Sequence, residues 1–151
     1  MVNLIAKTPD ELASYFPLLY RAFHDELIQS GMNSEQASKM VEQSKEDSYA
    51  NGTLSEGNEV FNVVVDGIVV GNLWIAEMKK NEWFISDIEI SKEFLRKGFG
   101  RQAMEAAEEY VLSKGGTSIA LSVFGFNTGA RKLYESLNYE VTRLSMKKCL
   151  K

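Results

Sequence analysis

The chain has 151 residues, 44% of them hydrophobic and 25% charged, with a net charge of −4. That is the balance of an ordinary globular protein, long enough for one core and short for two, so one domain over residues 1–151 is expected. The negative balance argues against nucleic acid as a partner, and no apolar run approaches the length of a membrane span.

The N-terminus, Met-Val-Asn-Leu-Ile-Ala-Lys, lacks a basic region followed by a long apolar core, so no signal peptide is expected. One cysteine, Cys149, excludes an internal disulfide and fits a reducing compartment, which points to a cytoplasmic location. One histidine, His24, and no Cys/His cluster argue against a metal site. Charge is unevenly spread. Residues 1–60 carry four Lys/Arg against ten Asp/Glu, and residues 61–151 carry thirteen against eleven. The first part favours a cationic partner and the second can hold an anion.

Val2 to Ala6 reads as a first strand. Thr8-Pro9-Asp10-Glu11 then opens a helix, with Thr8 as N-cap, Pro9 at the first helical position and Glu11 completing a capping box. Leu12, Tyr15, Phe16, Leu19, Phe23 and Leu27 recur at helical spacing; Pro17 is expected to kink or divide this helix, and Gly31 to end it. Asn33-Ser34-Glu35-Gln36 begins a second helix that stops near Asn51-Gly52. Gly52 to Asn58 is a polar loop.

Val60 to Val65 and Ile68 to Ile75 are β-branched runs separated by Asp66-Gly67, a strong hairpin signal. Lys79-Lys80-Asn81-Glu82 makes a second hairpin-like connection into a strand from Trp83 to Ile90. A loop, Leu95-Arg-Lys-Gly-Phe-Gly-Arg101, leads into a helix over Gln102 to Lys114, ended by Gly115-Gly116. Ser118 to Phe124 reads as a strand, parallel to its predecessor through a right-handed crossover. Asn127-Thr128-Gly129 caps a helix over Ala130 to Leu137, and Tyr139 to Lys147 reads as a final strand.

The glycine loop stands where a strand hands over to a helix. Glycine permits close backbone approach, and the first helical turn has unpartnered N–H groups and partial positive charge. Flanked by Arg96, Lys97 and Arg101, such a loop is suited to phosphate. Gly98-Phe99-Gly100-Arg101-Gln102-Ala103 formally matches a dinucleotide fingerprint, but seven residues separate Ile90 from Gly98, and the next strand ends in Val123, Phe124 and Gly125 with no acid for a ribose. Gly100-Arg101-Gln102 lacks the Gly-Lys-Ser/Thr of a nucleoside-triphosphate loop.

The order of elements and two motifs resemble the GNAT superfamily of N-acetyltransferases. The family's loop reads Gln/Arg-x-x-Gly-x-Gly/Ala; Gly98 and Gly100 fill both glycine positions, and Leu95 departs from the first. Asn127 to Tyr139 resembles the family's Asn-x-x-Ala-x-x-Leu-Tyr-x-x-x-Gly-Phe/Tyr segment, with Asn138 in place of glycine, a residue that also adopts left-handed angles. The resemblance implies a mixed, mostly antiparallel α/β (α+β) sheet of six to seven strands with helices on both faces. It also implies direct acetyl transfer from acetyl-CoA to an amine, without metal.

On that resemblance, backbone groups of Ile88 and Ile90 hold the pantetheine arm. The N–H groups of Arg96, Lys97, Gly98, Phe99, Gly100 and Arg101 cradle the pyrophosphate. Asn127 bonds the cofactor, although a helix N-cap explains it as well. Tyr134 is the general acid for the leaving thiolate, although it also belongs to the apolar stripe Ala130, Leu133, Tyr134, Leu137. Some members carry a basic glutamate on the fifth strand, where Ser122 stands here. Asp87 and Glu89 are the remaining candidates, Glu89 being preferred, with a water chain as the alternative. In a regular strand both face away from Ile88 and Ile90. The acidic first helices, with Asp25, Glu26, Glu35 and Glu42, suggest a cationic acceptor. A non-catalytic acyl-CoA-binding sensor is the rival reading, and a homodimer is compatible with the sequence.

Overall fold

The computed structural model describes residues 1–151. Five strands form one sheet in the order β1-β2-β3-β4-β5: β1 (Asn3–Ala6), β2 (Asn58–Val65), β3 (Ile68–Lys79), β4 (Glu82–Ile90) and β5 (Ser118–Leu121). All neighbours are antiparallel except β4 and β5, which are parallel. Helix α1 spans Pro9–Gln29, α2 spans Ser34–Ser48, α3 spans Phe99–Ser113 and α4 spans Thr128–Ser136. The expected mixed α/β architecture is present, with five strands rather than six or seven.

Local sequence explains the turns. Asp66 (φ 50°) and Gly67 (φ 77°) both take positive angles, the combination that matches the twist of a two-residue hairpin. Asn81, at φ 66°, turns β3 into β4. The connection from β4 to β5 is the α3 crossover that the strand–helix–strand order requires.

Alternation along the strands builds two apolar layers. Phe61, Val63, Leu73, Ile75, Trp83 and Ile85 pack with Ala103, Met104, Ala107 and Val111 of α3. Val60 and Trp74 point to the other face and pack with Tyr15 and Phe16 of α1. Phe16 is fully buried, stacked 4.2 Å from Tyr49 and edge-on to Trp74 at 5.2 Å. Burying such a ring stabilises the fold by roughly 2–3 kcal/mol from transfer alone.

The capping box forms as expected: Thr8 Oγ1 accepts from Glu11 N–H, and Thr8 N–H donates to Glu11 Oε1 at 2.9 Å. Pro17 does not divide α1, which runs unbroken to Gln29; the ring lies on the exposed side and removes one donor, while Tyr15, Phe16 and Leu27 anchor the helix on both sides of it. Asn33 caps α2, which ends at Ser48 before a short 3-10 turn at Ala50–Gly52.

The C-terminal expectation fails. Residues 139–151 form no strand, and Val141, Leu144, Met146 and Leu150 are exposed. Cys149 is likewise exposed and outside any strand. The fifth strand also stops at Leu121 rather than Phe124. Strand-forming side chains make a strand only on a paired, half-buried surface, and the four residues of β5 are too short an edge to template the nine expected.

Candidate active site

The site begins where β4 loses its neighbour. Parallel pairing with β5 ends at Ile85 and Leu121, so beyond this point β4 is bonded to β3 alone. Trp74 pairs with Asp87 but Ile75 pairs with Ile85, which leaves Ser86 as an extra residue, a β-bulge. The bulge reverses the alternation. Trp83 and Ile85 lie in the α3-side core, and Ile88 and Ile90 also pack against it, whereas Asp87 and Glu89 go to the α1 side.

The ladder also orients the backbone. Ser91 N–H donates to Val70 O at 2.8 Å. Counting back in steps of two, Glu89 and Asp87 form the hydrogen-bonded pairs with β3, so N–H and C=O of Ile88 and Ile90 point away from it, into the gap that β5 leaves open. Two residues expected to hold a pantetheine arm thus present a free strand edge.

The glycine loop continues from that edge. Helix α3 starts at Phe99, earlier than expected, with Gly98 as N-cap at φ 80° and Arg96 also left-handed at φ 63°. No backbone N–H from Arg96 to Arg101 donates within the chain; the first to do so is Gln102, to Gly98 O at 3.1 Å. Six consecutive donors therefore lie unpaired at a helix N-terminus, beside the exposed side chains of Arg96 and Lys97, which are in no ion pair. This arrangement fits a pyrophosphate. Arg101 instead donates to Ser136 Oγ on α4 at 2.5 Å.

Helix α4 closes the other side. Asn127 is its N-cap, accepting from Ala130 N–H at 3.4 Å. At its end, Tyr139 N–H bonds Tyr134 O at 3.0 Å and Asn138 N–H bonds Glu135 O at 3.0 Å, with Asn138 at φ 70°. This is a Schellman ending, and Asn138 fills the left-handed position as expected. Tyr134 is half-buried beside the Tyr139 ring at 6.1 Å; burial and the nearby Asp87 carboxylate push its phenol up.

On the α1 face, a cleft of about 520 Å³ is bounded by α1, β3 and β4, with Asp87 and Glu89 in its lining. Tyr15 donates its hydroxyl to Asp87 Oδ2 at 2.5 Å. Asp87 is pushed up to about 6, chiefly by burial, with Glu89 and Glu26 adding repulsion while Tyr15 and Lys7 oppose the shift. Burial also raises the Glu26 carboxyl. Glu89, next along the same face, is exposed.

Of the helical acids singled out in the sequence, only Glu26 lines the cleft; Asp10 and Glu11 join it, with Lys7 as the one cation. Asp25 is exposed beside His24, and Glu35 pairs with Lys39 at 3.6 Å. Tyr15 was hidden by its own periodicity: it fits the apolar stripe of α1 and is buried there, yet its hydroxyl leaves the core for Asp87.

Comparison with known proteins bears on the family and the fold. The model of the acetyltransferase (GNAT) family matches residues 19–139. The chain is 28% identical over 154 residues to an uncharacterized N-acetyltransferase, YycN, of Bacillus subtilis (strain 168), covering 99% of each, and 28% identical over 148 residues to a second from that organism, YdgE, covering 95% and 94%. It superposes on the crystal structure of YycN with a TM-score of 0.90 at 26% identity over 99% of both chains. With that match across most of its length, the chain belongs to the acetyltransferase (GNAT) family and is an enzyme of the acetyl-CoA-dependent acetyltransferase class.

Proposed function

We propose that the enzyme, one domain over its whole length, moves acetyl directly from acetyl-CoA to the primary amine of a cationic small molecule or peptide. The free backbone of Ile88 and Ile90 would hold the pantetheine arm, the N–H groups of Arg96 to Arg101 the pyrophosphate, and Asn127 a polar group near the arm. The acceptor would enter from the α1 side, where Asp10, Glu11, Glu26 and Glu89 attract positive charge.

The observation that carries this reading is the convergence on Asp87. The acidic cleft reaches it from the α1 face, and its carboxylate lies near enough to Tyr134 on α4 to push that phenol up. An alkyl ammonium titrates near pH 10, so the nucleophile must lose a proton. Asp87 takes it in this reading; it is more buried than Glu89, and burial pushes its carboxyl up to about 6, which suits a base. The amine nitrogen bonds the acetyl carbon, the carbon–sulfur bond breaks, Tyr134 protonates the departing thiolate, and the second proton lost from the nitrogen restores the Tyr134 phenol. Glu89 contributes charge to the cleft.

The test is turnover across amines of one to four positive charges at rising ionic strength. Preference for the more highly charged acceptors, weakening with salt, is expected; equal rates insensitive to salt overturn the cationic assignment.

A further inference from the structure

We propose that Tyr15 is a positioning residue for acetyl transfer, holding one carboxylate oxygen of Asp87 and leaving the other as the proton acceptor in the cleft. This rests on the reading of Asp87 as base.

The geometry is over-determined. Tyr15 is 8% exposed, with Phe16 edge-on to its ring at 5.1 Å. Lys7 Nζ sits 5.1 Å from the ring centroid and donates to Asn62 Oδ1 at 2.5 Å. Asn62, 6% exposed, donates to Glu11 Oε2 at 2.9 Å, and Glu11 is itself held in the capping box with Thr8. A fixed chain of contacts therefore runs from the start of α1, through Asn62 and Lys7, to the phenol ring. The hydroxyl that ends it is 2.5 Å from Asp87 Oδ2.

An unrestrained carboxylate rotates and offers either oxygen. A single short donor on Oδ2 fixes the rotation and directs Oδ1 away. A donor to the ionised form also favours that form. The other groups facing Asp87 are Glu26 from α1, Glu89 from β4, Lys7 from the β1–α1 junction and Tyr134 from α4. Burial and the two glutamates oppose ionisation and Lys7 favours it, so loss of the Tyr15 hydroxyl leaves burial less opposed.

The experiment is the pH profile of kcat/KM, with acetyl-CoA and a reactive amine, for the parent, Tyr15→Phe, Asp87→Asn and Tyr20→Phe. Tyr20 lies on the same helix with a buried, unpartnered hydroxyl and no bond to Asp87. Tyr15→Phe is expected to move the acidic limb up by about one pH unit and to lower kcat, with amine KM little changed; Tyr20→Phe should leave the limb in place. Replacing Tyr15 by 3-fluorotyrosine, a stronger donor of the same shape, should move the limb the opposite way. Carbon-13 titration of the Asp87 carboxyl in the parent and in Tyr15→Phe gives the same comparison without turnover. An unmoved limb in both Tyr15 variants, where Asp87→Asn abolishes it, overturns the role of Tyr15 alone. A parental limb in Asp87→Asn overturns the base assignment beneath it.

Discussion

The Tyr15 hydroxyl on α1 donates to Asp87 Oδ2 on β4 at 2.5 Å, across 72 positions of sequence. This bond ties the helix that walls the acidic cleft to the strand whose edge faces the glycine loop. It also places a carboxyl titrating near 6 at the junction of the two.

Asp87 should set opposite pH dependences for activity and stability. Its carboxyl is raised from 3.8 to about 6, so the folded protein holds this proton more tightly than the unfolded chain does. The resulting stabilisation is complete below about pH 4 and is lost as pH rises through about 6. At pH 7.5 the ionised group costs the fold on the order of 3 kcal/mol. Asp87→Asn should therefore be more stable than the parent at pH 7.5, with the gap closing by pH 4. Urea midpoints at both pH values check this. Catalysis should run the other way, with kcat/KM of the parent falling below pH 6 and Asp87→Asn slow throughout.

Tyr134→Phe should slow turnover without loosening acetyl-CoA. The leaving thiol titrates at about 8.5, so its departure needs limited help, and a loss in kcat of about 10- to 100-fold is expected. The Schellman bonds at the end of α4 use the Tyr134 carbonyl, not its ring, so the helix should persist. Steady-state kinetics with calorimetric acetyl-CoA binding separates the two effects. An unchanged kcat removes Tyr134 from the mechanism.

Two glycines in one loop should behave differently. Gly98, at φ 80°, caps α3 in a conformation that costs a side chain roughly 1–2 kcal/mol. Gly98→Val should weaken acetyl-CoA binding by 10-fold or more (roughly 1.4 kcal/mol). Gly100 has ordinary helical angles, and a Cβ there would sit 3.5 Å from Leu133 Cδ2, a normal contact. Gly100→Ala should fold as well as the parent and keep affinity within about threefold. Calorimetry on both variants decides.

Phe16→Ala should cost about 3–5 kcal/mol, since the ring is fully buried between Tyr49 and Trp74 and its removal leaves a cavity in the α1-side layer. Denaturant unfolding measures it. Because α1 also carries Tyr15, activity should fall with stability in this variant, in contrast to Asp87→Asn.

Features set by a few neighbouring residues could be read directly from the chain. Thr8 to Glu11 dictates a helix start and Asp66-Gly67 a hairpin, because each depends on angles and donors within four residues. The two motifs around Gly98 and Asn127 pointed to the family for the same reason. Three things depended on distant packing. Tyr139 to Lys147 has strand-forming residues but no long edge to pair with. Pro17 sits in a helix held together by contacts on its other face. Asp87 and Glu89 look equivalent at alternate positions of one strand. The extra residue at Ser86 turns both toward α1, and burial together with the Tyr15 hydrogen bond distinguishes Asp87. A bulge and a buried hydrogen bond are outcomes of how sheet and helices pack together, and no local pattern encodes them.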